Sequence, residues 1–535
     1  MPLMRHAFAA LLILSALAAR GDAPGVYAIT GGTVHTAAGA DIANGVVIVR
    51  DGLIEAVGAG LAIPADAATI DAAGMHVYPG LIDAQTSLGF TSAKPAQRRR
   101  GGGARSAAQE GPAVPETSPS FLAINNVKLS DDDLDAARSA GITTILTVPT
   151  TGIFNGQSVI LNLGSGSAES RVVKQPATMQ VSFNTRSTWV YPDSLMGVMA
   201  YIRQTLLDAQ QYAAARAVYD RSPAGNKRPE ENLSSQALGP VLLRELPVVF
   251  VANDELMMRR ALAIAKEMNL RLILAGARQA YKMPDELKQL GVPLLVSVNW
   301  PKPPADKDDR EEQPLRVIRD RQLAPTTPAA LVKSGAAFAL VSGGAKSADF
   351  AGGIRKAMDN GLTADDALRA TTIWPARILG VDRQLGSLER GKIANVVVTD
   401  KPIFAKERQV KRLLIDGREV RVTPAAEKKK AGAASAIDGT WSLSVRSAQG
   451  DVAITATLHG ENGTVTGTYS GDRGSGEIRN GSLDGTTIEF TITATGSNQS
   501  EAGDWVFHGT VSGTSMTGTV STNLGSFQFT GSKAK

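Results

Sequence analysis

The strongest constraint in this sequence is one pattern repeated between residues 131 and 360: short, almost wholly apolar runs alternating with stretches of helical spacing. The runs are GITTILTVP (141–149), LPVVFVA (246–252), LRLILAG (270–276), VPLLVSV (292–298) and AAFALVS (336–342). The helical stretches beside them are DDDLDAARSA, ELMMRRALAIAKEM, MPDELKQL, PAALVKS and GIRKAMDN. Apolar runs this short that do not alternate with polar residues are buried on both faces, as happens when helices cover both sides of a parallel sheet. The span 79–385 is long enough for a (β/α)8 TIM barrel, and an α/β barrel is the predicted core of the chain. Near its end, Thr363 and Asp366 have the T-x-x-D spacing of a capped helix start, and Gly380 is placed to stop the last helix.

The flanks are strand-like. Residues 24–78 and 386–422 carry apolar alternation broken by Gly and Asp-Gly, and each is too small to bury a core alone. They are predicted to pair as one composite β-sandwich with the barrel inserted between them. A polar, Ala-rich linker (423–436) leads to residues 437–535, a separate all-β domain, small barrel or sandwich. Its TGT units predict equivalent hairpins. Residues 1–23 have the basic start (Arg5), apolar run (Ala7–Ala19) and small-residue site of a signal peptide. The mature protein is expected to be exported by a bacterium, periplasmic or extracellular, with no transmembrane segment. Residues 92–119 read as a Gly-, Pro- and Arg-rich loop. Residues 301–314 read either as a lid over the barrel mouth or as a solvated loop.

Composition removes several function classes. With 56 basic against 51 acidic residues and no basic stripe interleaved with aromatics, nucleic acid is not an expected partner. The absence of Cys excludes a disulfide framework and a lipidated cysteine anchor.

Several ordered motifs resemble the metal-dependent amidohydrolase superfamily, in particular its imidazolonepropionase-like branch. GGTVHTAAGADIANGVVIVRDGLIEAVG is similar to that family's N-terminal strands, and IDAAGMHVYPGLIDAQTSLG to its first barrel strand. AGITTILTVPTTGIFNGQ is similar to its second strand and following loop, and GLTADDALRATTIWPARILGVDRQLGSLERGKIANVVVTD to its C-terminal signature. The resemblance spans residues 26–422 and implies hydrolysis of C–N or related bonds by water activated on zinc or another divalent metal. It also implies a ligand set: an H-x-H pair after strand 1, a mid-barrel Lys or Glu, two further His and a late Asp.

On this chain the H-x-H pair maps to Gln85 and Ser87, the next His to Val251 or Asn253, the last His to Gly276 and the late Asp to Gly343. A count of histidines points the same way without any alignment. The five are His6, His35, His76, His459 and His508, so none lies between residues 77 and 458. The residues therefore lead to no bound cofactor, and to a pocket at the barrel mouth lined by Gln85, Ser87, Asn253, Arg278 and Ser342. The expected function is that of a catalytically degenerate homologue that binds a small molecule or pairs with an active amidohydrolase subunit; a homo-oligomer is also open. The alternative is an active hydrolase of C–N bonds, using an oxygen-ligand metal (Asp83, Asp254, Glu255, Asp349), a Ser342–Lys346 pair, or a partner's residues. A purely structural or surface-attached role for the C-terminal domain also stays open.

Overall fold

The computed structural model describes residues 25–90, 118–185, 191–304, 310, 312–422 and 437–534, less 448–449, 462–463, 473, 485, 495–502 and 523–524. The expected signal peptide and linker, and most of the two loops, lie outside the described residues. Two compact units result, Met1–Val422 and Thr423–Lys535.

The first unit opens with β1 (Val26–Val34), β2 (Ile42–Arg50), β3 (Leu53–Ala59), β4 (Ala68–Asp71) and β5 (His76–Pro79). Arg50 pairs with Leu53 across Asp51-Gly52, both with positive φ (49° and 85°), the tight hairpin that an Asp-Gly pair favours.

The barrel follows: β6 (Leu81–Thr86), β7 (Ile142–Thr147), β8 (Phe154–Gln157), β9 (Val159–Asn162), β10 (Val172–Lys174), β11 (Met179–Ser182), β12 (Val248–Ala252), β13 (Leu272–Gly276), β14 (Leu294–Ser297) and β15 (Phe338–Val341). β6 and β7 are parallel, as are β11 through β15 in sequence order. Between these two groups β9 pairs with β7, and β8 with β11, both antiparallel. The stave 154–162 thus runs against the other seven, which corrects the all-parallel (β/α)8 expectation and turns the expected loop after strand 2 into a strand. Its apolar residues Phe154, Val159, Ile160 and Leu161 are all buried, which holds it in the wall. The helix Leu195–Arg221, 27 residues long, was likewise not anticipated.

Alternation along the staves sorts residues into two layers. Val249, Ile273, Leu295 and Ala339 point into the barrel, where Ile378, Leu379, Val381 and Leu385 join them in one buried cluster. Phe250, Leu274, Leu294 and Phe338 point outward among the residues of the covering helices. Burying each large side chain contributes about 1.5–3 kcal/mol. The helix ends follow the sequence signals: Thr363 accepts the Asp366 N–H at 3.1 Å, and Gly380 takes φ 68°.

The chain returns through β16 (Val396–Thr399), β17 (Val410–Ile415) and β18 (Arg418–Glu419). These join β1–β5 in one continuous eight-stranded sheet, ordered β18-β17-β16-β5-β1-β2-β3 with β4 on β1, so the two flanks pair with each other. A buried polar network ties it to the barrel wall. Asn395 donates to Asn162 Oδ1 (3.0 Å) and Thr144 Oγ1 (3.2 Å), and its own Oδ1 accepts the Asp416 N–H (2.9 Å). Asn162 donates to Asp416 Oδ1 at 2.5 Å.

The second unit is a closed β-barrel. Strands β19 (Gly439–Ser447), β20 (Gly450–Glu461), β21 (Thr464–Gly471), β22 (Gly474–Glu477), β23 (Arg479–Asp484), β24 (Thr487–Ala494), β25 (Gly503–Ser512), β26 (Ser515–Thr522) and β27 (Gly525–Lys533) pair antiparallel. The β20–β21 pairing closes eight of them into a ring, and β22 adds to β21. Phe490 and Phe507 stack at 4.8 Å between centroids, and Phe529 meets Phe507 edge-on at 5.0 Å. The TGT units lie mid-strand in β21 and β26, each the second strand of an antiparallel hairpin, β20–β21 and β25–β26. A Cβ on Gly518 would stand 2.2 Å from the His508 carbonyl and 2.8 Å from the Phe529 ring, so the glycine makes room for the aromatic core.

Asn395→Ala removes three hydrogen bonds and leaves the Asp416 N–H without its acceptor, while Thr144 and Asn162 keep their own bond at 2.7 Å. Denaturant unfolding of the first unit is expected to lose about 2–4 kcal/mol; a loss near zero would show that the network does not join sheet and barrel.

Candidate functional site

The apolar plug at one end of the barrel leaves the other end open. There the carboxyl ends of the staves surround a cavity of about 280 Å³. Gln85 and Ser87 reach it from β6 and its loop, Val251 and Asn253 from β12, Gly276 from β13 and Gly343 from the turn after β15. The positions mapped to the family's ligands therefore converge on one place. Arg278 lines it as well; Ser342 does not, being 1% exposed behind the wall.

Several lining residues were missed by sequence reasoning: Asn155, Gln180, Asn184 and Asn299. Gln180 faces Gln85, each amide donating to the other's oxygen at 3.2 Å, and also donates to Thr178 Oγ1 at 2.9 Å. It lies in the short strand TMQVS, where one long polar residue interrupts an apolar run, and that interruption was the available signal. Asn184 donates to the carbonyls of Thr150 (3.0 Å) and Gly152 (3.2 Å), and Asn155 to that of Thr151 (2.5 Å), so these amides pin the loop after β7.

Beneath the mouth lies Asp83, 3% exposed. Its Oδ1 accepts the Ser342 N–H at 2.9 Å and the Gln85 N–H at 3.5 Å. Burial pushes its carboxyl up to about 6, against the opposing pull of hydrogen bonds from Ser342 and Gln85.

The donor set does not fit the metal centre that the fold family implies. Gln85, Ser87 and Asn253 offer neutral amide or hydroxyl oxygens, and Val251 offers none. The remaining two positions are glycines at φ 87° (Gly276) and 57° (Gly343), and the space beside them is taken. A Cβ on Gly276 would stand 2.5 Å from Asn253 Oδ1; one on Gly343 would stand 2.0 Å from Ser297 Oγ. Among the described residues no group of three or more His, Cys, Asp or Glu side chains is close enough to hold a metal ion.

The other candidates disperse. Asp254 caps the helix Glu255–Glu267 by accepting the Met257 N–H at 2.9 Å. Glu255 pairs with Arg259 at 3.0 Å, and Asp349 sits in the first turn of the helix Ser347–Met358. Each is where the helix dipole favours an acid. Lys346 is the residue that opens that last helix, and no hydrogen bond joins it to Ser342 among the described residues. His35 and His76 share a 3.0 Å contact in the β1–β5 sheet, away from the mouth, and His459 and His508 belong to the second unit.

The Asp83 carboxyl gives a pH signature. Above about pH 6 it is ionised in both folded and unfolded chains, and its burial costs stability. Between about pH 6 and pH 4 only the folded chain takes up the proton, so the site's contribution rises by up to about 3 kcal/mol as pH falls. The parent chain should therefore gain stability relative to Asp83→Asn when unfolding is compared at about pH 7 and pH 4.5. A difference that does not change with pH would contradict the assignment.

Comparison with known proteins places the architecture. Residues 316–420 match the amidohydrolase family. An amidohydrolase from Thermotoga maritima MSB8 shares the fold with a TM-score of 0.64 at 23% identity, over 74% of this chain and all of that one. A Xaa-Pro dipeptidase with bound methionine aligns at 15% identity and a TM-score of 0.46, over 74% of this chain and all of its own. Residues 316–420 thus carry the amidohydrolase family match, and the first unit shares its fold with the Thermotoga protein.

Proposed function

We propose that the barrel is a catalytically degenerate amidohydrolase homologue, a metal-free module that binds a small molecule at its mouth. One observation carries the reading: at Gly343 the space a side chain would need is filled by Ser297, whose Oγ and Cβ would stand 2.0 and 2.5 Å from a Cβ there, and at Gly276 the movable amide end of Asn253 occupies it. A chain that had only lost its ligands would leave room where they stood. Here the neighbours have moved in, and the mouth is rebuilt from neutral amides and hydroxyls around a cavity. Such groups orient a ligand through hydrogen bonds and hold a divalent ion poorly. The leader-like first 23 residues support placing this function outside the cytoplasm.

Reintroducing the ligands tests the reading. Gly276→His and Gly343→Asp, each combined with Gln85→His and Ser87→His, are expected to lose about 1–3 kcal/mol from overpacking and left-handed backbone strain. Zinc uptake should stay below about a tenth of an equivalent. A variant as stable as the parent that takes up zinc stoichiometrically would mean that the old site is intact but for its side chains.

A further inference from the structure

Resting on the reading of the mouth as a ligand site, we infer that its ligand is a small monocarboxylate with a hydroxyl- or amide-bearing remainder, anchored by Arg278. Among the described residues Arg278 is the one charged side chain that lines the cavity; no Asp, Glu or Lys among them lines it. It is half-buried, and burial lowers its pKa, so its charge is held at a cost in desolvation.

Its guanidinium carries five N–H donors. Among the described residues one hydrogen bond is recorded, from Nη1 to the Asn299 carbonyl at 3.0 Å, and no ion pair. Two other part-buried arginines of this unit are better satisfied, while Arg171 and Arg321, each with a buried Nε that finds no partner, do not line the cavity. Arg138 donates to the Leu163 and Gly164 carbonyls at 2.8 and 2.9 Å, and Arg408 to those of Ile403, Ser139 and Ala140. Arg278 alone of these three keeps donors free beside a cavity. A planar carboxylate fits such a fork with two parallel hydrogen bonds.

The rest of the wall fixes the remainder of the ligand. Gln85, Gln180, Asn155, Asn184 and Asn253 present both donors and acceptors but no charge, so they match hydroxyl or amide groups and offer nothing to a cation. With a single positive charge on hand, a monoanion is neutralised, whereas a phosphate dianion would keep an uncompensated charge in a partly dry site. A volume of about 280 Å³ equals roughly nine waters at ~30 Å³ each, the size of a short hydroxy acid.

The test is calorimetric titration of the full chain with D-glycerate, glycerol, ethanolamine and inorganic phosphate, repeated on Arg278→Gln and Arg278→Lys. Thr327 bonds the Arg278 backbone carbonyl rather than its side chain, so both variants retain that contact. Glycerate is expected to bind at least about tenfold tighter than the other three. Arg278→Gln should remove that preference, and Arg278→Lys should restore it only in part. Glycerol binding as well as glycerate, with Arg278→Gln without effect, overturns the carboxylate assignment while leaving a ligand-binding mouth. Phosphate binding more tightly than glycerate overturns the monoanion argument. No binding of any probe overturns the inference, and if zinc binds stoichiometrically instead, the reading beneath it falls too.

Discussion

A buried carboxylate closes this barrel. β15 lies against β6 where the sheet meets itself, and Asp83 Oδ1 spans that seam by accepting the Ser342 N–H, with the Gly343 N–H reaching the Gln85 carbonyl above it at 3.4 Å. The cost of burying that charge is the reason its carboxyl titrates near 6. The same residue fixes the turn carrying Gln85 and the turn carrying Gly343. The shape of the mouth thus depends on a group that does not line it, and the fold could keep Asp83 while everything above it changed.

Above it stands a set of neutral donors. A barrel of this fold presents its mouth groups from the carboxyl ends of several strands, so they can differ without disturbing the wall. Here the neighbouring groups fit one another. The two glycines have positive φ, and the side chains of Asn253 and Ser297 stand where theirs would be. Gln85 and Gln180 close on each other as a reciprocal amide pair, satisfying both without an ion. The shared fold describes the wall, while these residues describe the site, and the two need not agree.

Much of the wall was legible in sequence because burial on both faces leaves a plain signal. LPVVFVA, LRLILAG, VPLLVSV and AAFALVS became β12 to β15, and Thr363 and Gly380 bound the last helices as their chemistry dictates. The antiparallel stave was less legible because FNGQSVILN carries Gly156 inside it, and strand direction leaves no mark on composition. The TGT units marked equivalent hairpins, though Gly518 answers to a distant aromatic ring, Phe529, rather than to a turn. The mapped ligand positions were legible from motif order, and the cavity gathers them all. Gln180 and Asn299 were not, since their role depends on which strands become neighbours around the barrel.

The proposal under test is that the mouth binds a small molecule rather than a divalent metal. The most direct measurement is elemental analysis of the purified full chain after incubation with Zn²⁺, Mn²⁺ and Mg²⁺ and removal of the excess. The expected result is less than about a tenth of an equivalent of each, because among the described residues no convergent set of imidazoles and carboxylates stands at the stave ends. About one equivalent of any of them, lost on replacing Gln85, Asn253 or Asp83, would place a metal at the mouth and contradict it.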